Sequence, residues 1–257
     1  MSISISEITK ELKNIKDTDK NNLSQFVDKY NSDERNGVVT LINKANKKIN
    51  KIINEEIRTH KMYEFERKYY EQGYKYICGI DEVGRGPLAG PVVACAVILP
   101  DSEELLYLND SKQVSKQKRE ELYDIILDKA IACEVGIVSW GRIDEINILQ
   151  ATYEAMRAAI SKLKTKPDLL LNDAVKIPEI DVKQVPIIKG DTLSASIAAA
   201  SIVAKVTRDR MMEEYARIYP GYDFENNMGY GTKKHLDNLK AAGPCDIHRR
   251  TFIKNLL

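Results

Sequence analysis

The spacing of apolar residues changes once along the chain, near residue 72. Before that point they recur at helical intervals, as in Ile8, Leu12 and Ile15, then Leu41, Ile42, Ala45, Ile49, Ile52 and Ile53. One face of each segment is apolar and the other charged, which predicts helices over about 5–15, 22–31 and 37–72. Beyond the boundary at Gln72-Gly73-Tyr74 the pattern alternates. Strands are predicted at about 75–82, 91–99, 133–139, 168–174 and 183–187, and helices at about 115–131, 143–164, 192–217 and 232–242. The run Pro91-Val-Val-Ala-Cys-Ala-Val-Ile-Leu-Pro100 is apolar throughout and bounded by prolines, as a central strand buried on both faces requires. Thr232 suits an N-cap, and Gly243-Pro244 closes the helix behind it. Strands followed by helices argue for an α/β layer architecture. The chain thus reads as an N-terminal helical extension, 1–72, and an α/β domain, 73–257.

Composition narrows the function classes. The 257 residues carry a net charge of +1, so nothing polybasic marks the whole chain, and any nucleic-acid binding must come from local patches. The four cysteines, Cys78, Cys95, Cys133 and Cys245, are widely spaced and contain no C-x-x-C. They read as small buried hydrophobes in a reducing compartment. No signal-peptide pattern or membrane span is recognisable, and a cytoplasmic protein is expected. His60, His235 and His248 have no zinc-ligand spacing.

Candidate chemistry begins at Gly79-Ile-Asp81-Glu82-Val-Gly84-Arg85-Gly86-Pro87, directly after the first predicted strand. Two adjacent carboxylates in a core are costly unless a cation compensates, either a divalent ion or Arg85. The glycines let backbone N–H groups approach a phosphate or sugar. The stretch reads as a metal-dependent site for a phosphate-bearing substrate. Asp173 ends a second apolar strand, Asp168–Asp173, where it faces a crevice or merely opens a turn. Asp191, in Lys189-Gly190-Asp191-Thr192, suits a helix N-cap as well as a ligand. The Ala- and Ser-rich helix behind it, through Lys205, reads as close packing; Lys205 as a solvated lysine; Asp209 as an ion-pair partner of Arg208 and Arg210. In Gly229-Tyr230-Gly231-Thr232-Lys233-Lys234-His235 an aromatic sits between glycines at a helix start. Its ring suits stacking on a sugar or base, and Lys233 and Lys234 oppose the helix dipole unless an anion is near. Asp110-Ser111-Lys112 offers a further phosphate contact. Arg249 and Arg250 add positive charge near the end, or form only a solvated face.

Together these stretches resemble type 2 ribonuclease H, the bacterial ribonuclease HII family, over about 75–254. The matching residues are the Gly79–Pro91 stretch, Asp110-Ser-Lys112, Ile146-Asn147-Ile148, Asp173-Ala174, Lys189-Gly-Asp191, Ser196–Arg210 and Gly229-Tyr230-Gly-Thr232. The resemblance implies an RNase H-like fold with a mixed five-stranded sheet flanked by helices. It implies a metal site and catalytic set of Asp81, Glu82, Asp173 and Asp191, without Asp209. It assigns reading of the ribose 2′-hydroxyl to Gly84, Arg85 and Gly86, and stacking at the RNA–DNA junction to Tyr230; Lys112 and Lys233 join the substrate contacts. The implied activity is hydrolysis of RNA/DNA hybrids, and of duplex DNA 5′ of a single ribonucleotide, leaving 5′-phosphate and 3′-hydroxyl ends. Two Mg²⁺ or Mn²⁺ ions, roughly 4 Å apart, would serve it. Such an enzyme reads no base sequence, because 2′-hydroxyl and backbone contacts carry none. A monomer without membrane attachment is expected, and contact with a replication clamp is left open. The sequence departs from the family at Met228, where Lys is usual, and at Asn172, where an apolar residue is usual.

Three other readings compete. A type 3 ribonuclease H shares the fold and acids but lacks junction preference and carries a β-rich N-terminal domain. The helical pattern and the intact Gly84-Arg85-Gly86 speak against it. A non-catalytic nucleic-acid-binding module gains nothing from four acids in its groove. A P-loop protein needs G-x-x-x-x-G-K-[ST], which is missing.

Overall fold

The computed structural model describes residues 3–101 and 104–256. It divides into two compact units, Met1–His60 and Lys61–Leu257. In the first, α1 (Ile5–Asn14), α2 (Lys20–Tyr30) and most of α3 (Asn36–Met62) are helical. Ser4 and Glu7 form a capping box at the start of α1, and Asp19 caps α2. Ile8, Leu12, Leu23, Phe26, Tyr30, Leu41, Ala45 and Ile52 form one apolar core, so the helical spacing in the sequence marks the buried faces.

The helix expected to run to 72 breaks at Tyr63, which has φ −89° and ψ 9°; α4 (Glu64–Tyr70) follows. Tyr63 and Tyr69 are buried within the second unit, and the Tyr63 hydroxyl accepts from Leu105 N at 3.0 Å. The contact boundary therefore lies at His60–Lys61, ahead of the pattern boundary near 72. Helical spacing does not stop where one core hands over to another.

The second unit contains five strands, β1 (Ile77–Val83), β2 (Val92–Ile98), β3 (Ala132–Val138), β4 (Leu169–Asp173) and β5 (Lys183–Ile187). Their order is β3-β2-β1-β4-β5. β1, β2 and β3 pair antiparallel, while β1, β4 and β5 pair parallel. This is the mixed five-stranded sheet flanked by helices that the resemblance implies. α5 (Lys116–Lys129), α6 (Trp140–Ile146), α7 (Ile148–Lys162), α8 (Gly190–Leu193) and α9 (Ala195–Ile218) are interleaved with the strands or follow them. After these come α10 (Phe224–Asn227), α11 (Lys233–Ala242) and α12 (Arg250–Ile253).

Strand period sorts β2 between two cores. Val93, Cys95 and Val97 face α9 and α5, whereas Val92, Ala94, Ala96 and Ile98 face α7. An unbroken apolar run is thus explained by burial on both sides. Gly79 lets α9 lie directly on β1: a Cβ there would stand 2.0 Å from the Ser196 carbonyl carbon. The single helix expected over 143–164 is two helices hinged at Asn147, whose φ is 66°. With ψ at 165° its backbone leaves the helical region altogether, and its side chain caps Leu149 N and Gln150 N. The expected 192–217 helix likewise divides, with Ser194 capping α9.

All four cysteines are free; Cys78 and Cys95 are buried, Cys133 and Cys245 half-buried. Among the described residues, no helix is long and apolar enough to cross a membrane.

Candidate active site

Asp81 lies on β1 opposite Cys95, hence on the α9 face of the sheet, and Glu82 follows it. β4 runs parallel beside β1 with Ile80 paired to Asn172, so Asp173 comes level with Asp81 at the carboxyl ends of the strands, where α/β sheets form ligand crevices. Asp173 Oδ1 accepts from Gly190 N at 2.8 Å, which draws α8, and with it Asp191, to the same place. Asp191 does not cap the long helix. That task falls to Ser194, whose side chain accepts from Ile197 N. Asp81, Glu82, Asp173 and Asp191 line one cavity of about 570 Å³. Asn172 is fully buried beneath them, and its Nδ2 donates to Gln184 Oε1 at 2.9 Å, tying β4 to β5.

The acids disturb one another. Burial raises the Asp81 carboxyl well above its ordinary value, and the charge of Glu82, then that of Asp173, adds to this. Burial also raises Glu82, against the opposing effect of Arg85, whose Nη1 donates to Glu82 Oε1 at 3.1 Å. Asp191 is raised by burial and then by Asp110 and Asp173, while Lys112 acts the other way.

The set suits a hard divalent cation, since every donor is a carboxylate oxygen. Glu82 Oε2 is buried without a hydrogen-bond partner, and a buried carboxylate oxygen needs one. Among the described residues, no three His, Cys, Asp or Glu side chains are already gathered into a metal-holding group.

The glycine-rich loop, Gly84, Arg85 and Gly86, makes a second wall of the same cavity with Tyr230, and Lys112 lines the cavity too. Gly84 has φ +92°, and a Cβ there would meet Arg208 Nε at 2.3 Å. Both the turn and the close approach therefore require glycine. A Cβ on Gly86 would stand 3.7 Å from Tyr230 Cε1, so the ring lies beside the loop. Tyr230 is 42% exposed. Val83, Ser111, Ser201 and Lys205 complete the lining, with Ser201 Oγ donating to Ser111 Oγ at 3.0 Å. Ser201 and Lys205 sit on the helix that the sequence presents as packing.

Several expected roles fall elsewhere. Lys233 is outside the cavity lining and pairs with Asp237 at 2.6 Å; Lys234 pairs with Asp223 at 2.6 Å. Those acids offset the clash with the helix dipole. Asp209 pairs with Lys205 at 2.7 Å rather than with its flanking arginines, and Arg210 pairs with Glu120. Lys205 is accordingly not a freely solvated lysine. Arg249 is not a solvated face but fully buried, as is Arg208. The Arg208 guanidinium donates to the carbonyls of Ala89, Pro91 and Met228. That of Arg249 donates to the carbonyls of Gly84, Arg85, Gly90 and Pro91. The backbone behind the glycine-rich loop is held by two buried cations. Position 228 matters here through its carbonyl, whatever side chain it bears.

A model of the ribonuclease HII family matches residues 78–255, and one of the ribonuclease HII N-terminal domain matches residues 4–70. A ribonuclease HII of Lachnoclostridium phytofermentans is 58% identical over 256 residues, covering 100% of this chain and 99% of that one. Among solved structures, the ribonuclease H2 of Pyrococcus horikoshii OT3 superposes with a TM-score of 0.58 at 25% identity, covering 70% of this chain and 96% of the other. The Archaeoglobus fulgidus RNase HII, solved in complex with PCNA, gives 0.57 at 29% identity, with coverage of 68% and 93%. The α/β unit is thus an RNase H-like fold.

Proposed function

The chain belongs to the ribonuclease HII family, and from that premise we propose how its cavity residues share the reaction. It is a metal-dependent endoribonuclease H acting on RNA/DNA hybrids. We assign Asp81, Glu82, Asp173 and Asp191 as the residues that hold its divalent ions, two Mg²⁺ or Mn²⁺. When bound, such ions supply the Lewis acidity that activates water and stabilises the departing 3′-oxygen.

The remaining work falls to the chain itself. Gly84 and Gly86 admit the sugar–phosphate backbone close to main-chain N–H groups, near enough to sense one 2′-hydroxyl. Arg85 and Lys112 place positive charge beside the phosphates. Tyr230 stacks on the next sugar and so tests for deoxyribose. Water attacks phosphorus, the P–O3′ bond breaks on the 5′ side of the ribonucleotide, and the departing oxygen takes a proton. The ends are 5′-phosphate and 3′-hydroxyl. Substrates are RNA/DNA hybrids and duplex DNA carrying single ribonucleotides. One chain supplies every residue named, which fits action as a monomer.

The observation that carries this reading is the shared cavity, which four carboxylates, the glycine-rich loop and Tyr230 line together. The test is a duplex with one embedded ribonucleotide, incubated with Mg²⁺, with Mn²⁺ or with EDTA. Cleavage 5′ of the ribonucleotide with metal and none with EDTA is expected. Cleavage of a continuous hybrid alone would favour type 3 behaviour, and no cleavage of either would leave a binding module.

A further inference from the structure

His248 and Arg249 are adjacent in sequence, and each grips a different part of the reading wall. Arg249 donates to the Gly84 and Arg85 carbonyls, as above, while its own N–H donates to Leu88 O at 2.8 Å. His248 faces the other way. Its Nε2 lies 3.0 Å from His235 Nε2, and His235 Nδ1 lies 2.8 Å from the Tyr230 carbonyl oxygen. Both rings are buried.

The ends of this chain fix its protons. A carbonyl only accepts, so His235 Nδ1 carries a proton and donates to Tyr230. A backbone N–H only donates, so His248 Nδ1 accepts from Cys245 N at 3.0 Å. His248 Nε2–H must then donate to His235 Nε2. Both rings are neutral, and every nitrogen is used. The path runs unbroken from the Gly84 carbonyl through Arg249 and His248 to His235 and the Tyr230 carbonyl. Ala89 and His248 also form a backbone bridge, and Gly90 N donates to Ile247 O at 2.9 Å. The segment is thereby stitched to the loop it supports.

We propose that His248 and Arg249 are positioning residues that hold the Tyr230 turn and the Gly84–Gly86 loop at one fixed separation, and so set selectivity for a ribonucleotide–deoxyribonucleotide junction. The proposal rests on the assignment of those two elements as the junction readers. Neither residue touches substrate. The elements belong to distant parts of the sequence, and this segment spans the gap between them with hydrogen bonds at both ends. Reading two successive sugars demands a fixed spacing, because a displacement of about 1 Å in a positioned group is enough for a large loss of rate.

The experiment measures kcat/KM on a lone-ribonucleotide duplex and on a continuous hybrid, and takes the ratio. Arg249→Lys keeps the charge but cannot reach the same carbonyls. His248→Ala cuts the path at its middle, whereas His248→Gln retains a donor for His235. Arg249→Lys and His248→Ala are expected to lower the ratio on the order of tenfold, and His248→Gln to recover most of it. In a double variant with Tyr230→Ala, His248→Ala should lower the ratio no further than Tyr230→Ala alone, since His248 acts through the Tyr230 turn. Thermal unfolding checks that each variant folds; should Arg249→Lys fail, the His248 pair of variants decides. A lower melting temperature with an unchanged ratio would make the segment merely structural, and a Gln variant as poor as Ala would break the path. Tyr230→Ala with a wild-type ratio would instead overturn the assignment of the readers, whatever the His248 and Arg249 variants do.

Discussion

The two walls of the cavity bury opposite charges by opposite means. On the sheet side, Asp81 and Glu82 are packed beside Asp173, and Arg85 is the cation that bonds to Glu82. On the loop side, Arg208 and Arg249 are fully buried and bond to backbone carbonyls. Burial lowers Arg208 to about 10 and Arg249 to about 9, so both remain charged at neutral pH. Their donors are satisfied, and each guanidinium fixes several carbonyls at once. The acids are left under-satisfied, with Glu82 Oε2 unpartnered. The loop wall is finished before any ligand arrives, whereas the acidic wall needs a cation to finish it. One wall is built for shape and the other for ion capture.

The sharpest way to break that contrast is to remove an acid. Asp81→Asn, Glu82→Gln, Asp173→Asn and Asp191→Asn should each lower kcat by about 10²–10⁴-fold, the equivalent of several kcal/mol of charge stabilisation. The melting temperature in EDTA should stay level or rise, because repulsion is relieved. Asp209→Asn, outside the cavity lining, should retain activity. A dead Asp209→Asn alongside an active Asp191→Asn would overturn the assignment.

The two walls were unequally legible in the sequence. Asp81 and Glu82 stood out as an adjacent acidic pair after a strand, whereas Asp173 and Asp191, each open to a turn or cap role, joined them only through the resemblance; apolar runs placed β1, β2 and β4 within a few residues. The loop wall's glycines and tyrosine were readable as a motif, but its supports were not. Arg208 and Arg249 bond to main-chain carbonyls, and a carbonyl leaves no residue-specific mark in sequence. His235 and His248 lack ligand spacing because they meet only through folding. Asn147 and Tyr63 break helices for local or tertiary reasons that helical periodicity does not register.

The next largest effect concerns what anchors the acidic wall. Glu66 on α4 is fully buried; its Oε1 accepts from Ser194 Oγ at 2.6 Å and Ser196 N at 2.9 Å, at the start of α9 just beyond Asp191. Deleting residues 1–60 should leave a folded α/β unit. Deleting 1–72 removes Glu66 together with the buried Tyr63 and Tyr69, and should lower the melting temperature by about 10 °C or more relative to the shorter deletion. Equal melting temperatures would show that α4 is dispensable to that wall.

A smaller effect is expected from the loop wall's one exposed ring. Tyr230→Ala should reduce cleavage at a lone ribonucleotide by about one to two orders of magnitude, since a lost stack is worth about 1–3 kcal/mol. Tyr230→Phe should be milder, because the ring persists, and a continuous hybrid should suffer less than the junction. Equal losses on both substrates, or a Phe variant as poor as Ala, would remove the stacking role.

The smallest effect, and the most direct comparison of the walls, is their opposite response to pH. Asp81, Glu82 and Asp191 have folded-state values raised above the ordinary 3.8 or 4.5. Above those ordinary values the folded state holds protons that the unfolded chain has released, so stability falls as pH rises. His235 and His248 are lowered by burial, His248 from 6.5 to about 4. Between those limits the unfolded chain binds protons that the folded state refuses, so stability falls as pH drops below 6.5. In EDTA the limb that falls with rising pH and the limb that falls with dropping pH overlap between about pH 4 and 6.5 and oppose each other there, each unit of displacement being worth at most about 3–5 °C. Asp81→Asn or saturating Mg²⁺ should flatten the alkaline limb and leave the acid one; His248→Gln should do the reverse. If Asp81→Asn flattened neither limb, the crowding of acids on the sheet wall would not be what destabilises the metal-free protein, and the contrast between the walls would rest on shape alone.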